Sequence, residues 1–166
     1  MVWQYVLTVL SAAMFFGFVA LCVHQFGWLS CYSAYGVKWE DSRDVNLWQF
    51  VTIWSAFLIV PVLLQTGEGN PYQFLGFLAP TSLLLVGATP DYATVKWQSV
   101  VHPVGAIAAA AFIALYAIAI PHLLWVVLVL VAVAAFIGWK QQKNTLLFWL
   151  EMAMYASTYV IILAII

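Results

Sequence analysis

The sequence predicts an all-α polytopic integral membrane protein folded as a six-helix transmembrane bundle. Three observations predict it. Of 166 residues, 66% are apolar or aromatic and only 7% are charged, against about 25% charged in ordinary soluble domains. The apolar residues fall in runs close to the roughly 20 residues that cross a hydrocarbon core. The breaks between runs hold Gly, Pro, Asn, Asp and Lys, the residues that turn a chain. A soluble domain of this composition could not cover its own surface, whereas lipid solvates an apolar exterior. The length suits one bundle over residues 1–166, not two domains.

The first run covers residues 5–27. It lacks a basic leading segment and its apolar stretch continues too far for a cleaved signal peptide, so it is expected to be the first span. The segment Cys31 to Asn46 is the longest polar stretch and the expected first loop. Within it, Glu40-Asp41-Ser42-Arg43-Asp44 is mixed in sign, and Asp44 or Asn46 could cap the next helix. A second run covers 47–64, and Thr66-Gly67-Glu68-Gly69-Asn70-Pro71 then signals a turn. The third run, 72–88, is short. Pro80-Thr81-Ser82, with Gly76 and Gly87, makes it the best candidate for a broken helix. Thr89-Pro90-Asp91 ends it. The fourth run covers 98–120, Pro121 is expected to make a tight reversal, and the fifth covers 122–139. One helix across both would be too long for a single span. Lys140 to Asn144 forms the last loop, and the sixth run covers 145–166.

All five Lys and Arg lie in odd-numbered loops: Lys38, Arg43, Lys96, Lys140 and Lys143. The positive-inside rule then places those loops in the cytoplasm, with the cell membrane the expected location. Net charge is −1 and no basic run occurs, so nucleic acid is not expected as a partner. Membrane lipids are, and a homo- or hetero-oligomer is open. Trp28, Trp39, Trp48, Trp97, Trp125 and Trp139 fall near expected span ends, as an interfacial aromatic belt would. Cys22 and Cys31 match no zinc or redox spacing and read as a buried small residue and a loop thiol.

The ionisable residues gather on the odd-loop side. Glu151 lies about two turns into the last run, roughly 9–10 Å from its loop end. A carboxylate there is costly facing lipid and is expected to face the interior. It is expected to serve either as a structural hydrogen-bond partner of a neighbouring helix or in a catalytic, proton-transfer or ligand-binding role. His102 opens the fourth run before Pro103, which suits a first helical turn. Gly105 and Ala109 follow as a small-xxx-small face that lets another helix approach closely. His102 reads as a packing histidine or a ligand-binding one. Asp91 reads as a turn residue or a further pocket residue. His24, with His102 and two carboxylates, could converge on zinc or iron, and only His24 with His102 could share a haem. No HExxH, nucleophile elbow, phosphate loop or dinucleotide fingerprint occurs, so catalytic residues and metal ligands stay unassigned.

The long first loop, the Gly/Pro-rich third run, His102-Pro103-Val104-Gly105-Ala106 opening the fourth and Glu151 in the last together resemble the damage-regulated autophagy modulator type of six-helix membrane proteins and its uncharacterised prokaryotic relatives. The resemblance implies a lipid- or sterol-associated membrane protein without an established catalytic site. Termini outside the cell depart from that pattern. The leading expectation is a protein that binds or moves a lipid or small amphiphile through a polar pocket lined by Glu151, His102, Asp91 and His24. A membrane-embedded metal-dependent lipid hydrolase and an accessory subunit of a larger membrane complex are the alternatives.

Overall fold

The structure, a computed structural model, describes residues 2–41, 45–120, 122–141 and 144–166. Ser42, Arg43, Asp44, Pro121, Gln142 and Lys143 lie outside the described residues, and with them the capping role expected of Asp44 and the reversal expected at Pro121. The described chain is all α-helix: α1 (Val2–Phe26), α2 (Ser33–Asp41), α3 (Val45–Thr66), α4 (Leu75–Gly87), α5 (Gln98–Ala119), α6 (Leu124–Lys140) and α7 (Leu146–Ile165). Six of these coincide with the six apolar runs. The seventh, α2, lies inside the polar stretch expected to be a loop. Four helices are long and apolar enough to cross a membrane: Val2–Phe26, Leu47–Thr66, Gln98–Ala119 and Leu146–Ile165. The helices Leu75–Gly87 and Leu124–Lys140 are apolar but shorter.

The helices alternate in direction, so the odd-numbered loops collect at one end and the even-numbered ones at the other. The α4 helix packs between α3 and α5, α1 lies along α3, and α6 lies on α7. Consecutive α5 and α6 share little contact, and so do α5 and α7. A gap therefore remains between α5 and α7, and it becomes the main cavity below.

Side-chain size explains the α4–α5 contact. A Cβ placed on Gly105 would stand 2.9 Å from the Ser82 carbonyl oxygen and 3.1 Å from the Leu85 Cβ. The close-approach face read from Gly105 and Ala109 is thus turned to α4. The expected break in the third run does not occur. Helix α4 continues through Pro80, and the preceding residues 70–75 join it in short turns. The chain also reverses between α5 and α6, with His122 at φ 53° and the Leu123 N–H donating to the Ala117 carbonyl at 2.7 Å.

Two apolar clusters fill the interior. At the odd-loop end Phe15, Phe18, Cys22, Tyr35, Trp39, Trp48 and Phe148 pack together. Toward the other end Ile59, Leu63, Leu75, Tyr116, Ile161 and Ile162 do so. Between them the Ser11 hydroxyl donates to the Ser55 carbonyl at 2.7 Å and shares a 2.8 Å hydrogen bond with the Tyr159 hydroxyl. That bond set ties α1, α3 and α7 together where water is scarce. The aromatic belt is only partly a belt. Trp28, Trp97, Trp125 and Trp139 are exposed, whereas Trp39 and Trp48 are buried in the odd-loop cluster.

Candidate functional site

The site begins with the turn after α1. Gly27 adopts φ +71°, open to glycine and strained for other residues, and stops the helix. The chain then crosses the start of α7. The Phe148 N–H donates to the Ser30 carbonyl at 2.9 Å, and the Trp28 ring stacks on Trp149 at 5.1 Å. This crossing brings the Tyr32 N–H to 2.6 Å from Glu151 Oε2. Helix α2 starts at the next residue, so the carboxyl meets a helix N-terminus, whose free N–H groups favour negative charge. Gly36 then lets α2 settle on α3, since a Cβ there would stand 3.0 Å from the Trp48 ring. A carboxyl 119 positions away in sequence thereby helps to order the short α2.

Glu151 has a second environment. It lines a cavity of about 230 Å³ between α5 and α7, far above the roughly 15 Å³ needed to hold one water. Ile59, Leu63, Ala79, Pro80, Leu83 and Val86 form the floor. Ala106, Ala109 and Ala110 of α5 face Leu150, Met154 and Tyr155 of α7. Small α5 side chains keep the space open. The cavity is a crevice with a side opening, where Ile107 is 70% and Leu147 55% exposed. Its polar groups cluster around Glu151 with Tyr32, Ser33 and Tyr155, while the Thr158 hydroxyl is taken by the Met154 carbonyl at 3.0 Å. Burial exceeds nine-tenths for Tyr32, whose hydroxyl shares a 2.9 Å hydrogen bond with Thr52.

The other three expected site residues do not line this crevice. His102 is buried one turn from Ala106, and its Nδ1 lies 3.0 Å from the Thr89 carbonyl and 3.1 Å from the Thr89 hydroxyl. A carbonyl only accepts, so Nδ1 carries the proton and Nε2 is the acceptor. That Nε2 has no hydrogen-bond partner among the described residues, and neither does the Nε1–H of buried Trp48. The two rings lie nearly parallel, 6.4 Å apart. Asp91 is a turn residue. Its N–H donates to Gln98 Oε1 at 2.8 Å, and its carbonyl accepts from the Thr94 and Val95 N–H groups. His24 is exposed. It stands two positions, about 200°, beyond buried Cys22 on the helix, so it points away from the core. Among the described residues His24 therefore does not converge with His102, as a zinc, iron or shared haem site would require. Among the described residues no group of three His, Cys, Asp or Glu side chains could hold a metal ion.

Tyr92 is one residue that sequence reasoning missed. It stacks on His102 at 4.2 Å, and its phenol lies beside the Cys31 thiol and within electrostatic reach of Glu151. Burial above all, then Cys31 and Glu151, pushes that phenol above the ordinary tyrosine range, which keeps it neutral. Tyr92 thus connects the histidine with the carboxyl region, although the two do not touch. Tyr32 and Tyr155 were missed as well. A tyrosine beside an apolar run gives the same pattern whether it packs in a core or lines a cavity. No family model, no curated protein and no solved structure matches this chain, so the crevice and its residues stand on their own geometry.

Proposed function

We propose that the chain is a six-span integral membrane protein of the cell membrane that binds a lipid or small amphiphile in the α5–α7 crevice. The spans are α1 and α3 to α7. The odd-numbered loops face the cytoplasm, in keeping with exposed Lys38, Lys96 and Lys140 at that end. Helix α4 is 13 residues long, about 20 Å at 1.5 Å per residue, and a locally thinned bilayer accommodates so short a span. One observation carries the binding reading. A laterally open crevice is apolar along its length and holds a single carboxyl at one end. That is the polarity pattern of an amphiphile, with the tail entering sideways from lipid and the head meeting Glu151. The polar pocket expected from sequence becomes an apolar one with a polar end.

A photoactivatable alkyl diazirine lipid tests this. After reconstitution and illumination, labelled peptides should map to Ile107, Leu150 and Met154, and Ala110→Phe should remove that label by filling the crevice. Equal labelling of outward-facing Val129 and Phe136, unaffected by Ala110→Phe, would overturn the reading.

A further inference from the structure

We infer that the occupant's head is an organic cation, a protonated amine or quaternary ammonium on an apolar body. This rests on the crevice being a binding site and deepens that reading. Three features around Glu151 carry it.

The first is charge. Among the described residues Glu151 is the one acidic or basic side chain in the crevice lining, and Lys38, Lys96 and Lys140 are all exposed and elsewhere. No described residue of the lining could balance a phosphate or carboxylate head. A carboxylate in an apolar setting is costly alone, and a cation beside it offsets that cost.

The second is aromatic. Tyr32 and Tyr155 both line the crevice at the Glu151 end, with rings 6.1 Å apart and inclined by 65°. Two inclined tyrosine rings beside a carboxylate form a corner that attracts cations through the ring quadrupoles. A neutral hydroxyl head would use only the carboxyl.

The third is rigidity. Tyr155 stacks on Phe15 at 3.8 Å, and Tyr32 is held by its hydroxyl to Thr52 and by its N–H to Glu151. The corner exists before a ligand arrives, so little ordering cost remains on binding.

The test uses the full chain in nanodiscs of zwitterionic lipid at neutral pH, where no anionic surface gathers cations. Radiolabelled dodecyltrimethylammonium, dodecylamine, dodecanol and dodecanoate are titrated, and specific binding is the component lost in Ala110→Phe. The two cations should bind at least about tenfold more tightly than the alcohol or the carboxylate. Glu151→Gln should abolish that preference and leave dodecanol within about twofold, because the Gln carbonyl still accepts from the Tyr32 N–H. Tyr155→Leu, an independent variant, should weaken the quaternary ammonium by about threefold or more. Specific binding that ignores head charge overturns the cation inference and leaves the crevice reading intact. So does a preference that survives both variants. Binding with no component sensitive to Ala110→Phe overturns both.

Discussion

The two ends of the bundle solve the same problem differently. At the even-loop end the polar groups close on one another. The Tyr116 hydroxyl donates to the Leu63 carbonyl at 2.9 Å and shares a 2.6 Å hydrogen bond with Thr66. The Gln73 amide donates to the Leu64 carbonyl at 2.8 Å, and the Asn70 amide to the Ala119 carbonyl at 3.3 Å. Among the described residues no buried side-chain donor or acceptor is left over there. At the odd-loop end two buried ring nitrogens, Trp48 Nε1 and His102 Nε2, find no partner among the described residues, and a carboxyl stands at one end of the crevice. A buried polar group without a partner costs roughly 1–3 kcal/mol. The fold thus closes its polar groups at one end and leaves two unpaired at the other, beside the crevice proposed as the binding site.

The α4–α5 contact behind the crevice gives the largest expected effect. Gly105→Val would push a branched side chain onto the Ser82 carbonyl and Leu85 of α4. Backbone cannot yield as a flexible side chain can, and overpacking of this kind costs about 1–3 kcal/mol. Denaturation in mixed micelles should show the loss, and crevice labelling should fall with it as α4 and α5 part. A variant as stable as the parent would mean that this contact is loose, and the contrast between a shaped crevice and a closed end would weaken.

Glu151 sharpens the contrast further, because two substitutions separate its two roles. Glu151→Leu leaves the Tyr32 N–H unpaired at the start of α2, at about 1–3 kcal/mol. Glu151→Gln keeps an acceptor and should cost under about 1 kcal/mol. Chymotryptic cleavage at Tyr35 and Trp39 would report the loosening of α2 in the leucine variant alone. If the two variants behave alike, the carboxyl does not order α2.

At the closed end, Tyr116→Phe removes a hydroxyl that serves Leu63 and Thr66. The expected loss is about 1 kcal/mol, since the Thr66 hydroxyl still has the Val62 carbonyl. Amphiphile binding should not change, because Tyr116 does not line the crevice. Altered binding would show that the two ends are not separate.

Much of this could be read in the residues, for identifiable reasons. Hydropathy locates the six apolar helices because each is a continuous apolar run bounded by turn residues. Glu151 stands out because a carboxylate inside an apolar helix is expensive wherever it points. Helix α2 does not stand out. It has nine residues with no strong amphipathic pattern, and part of its support comes from Glu151, far along the chain. His24 misleads because composition places it at the right end of α1 while helical phase, set by buried Phe15, Phe18 and Cys22, turns it outward. Asp91 is legible as a turn residue, and its backbone carries the turn contacts. Tyr92 and the Tyr32–Tyr155 corner depend on which helices leave a gap, and spacing along one chain does not encode that.

Thr89 offers the smallest effect and the finest distinction. Its hydroxyl donates to the Leu85 carbonyl at 2.7 Å and lies 3.1 Å from His102 Nδ1. Thr89→Val removes both contacts but keeps the main-chain carbonyl that fixes the histidine. The loss should be about 0.5–1 kcal/mol. Nitrogen NMR of histidine-labelled protein should show His102 protonated at Nδ1 before and after, because the carbonyl alone dictates that tautomer. A proton moved to Nε2 in the valine variant would mean that the hydroxyl held the ring. The partnerless acceptor beside Trp48 would then be a consequence of Thr89 rather than of the fold around it.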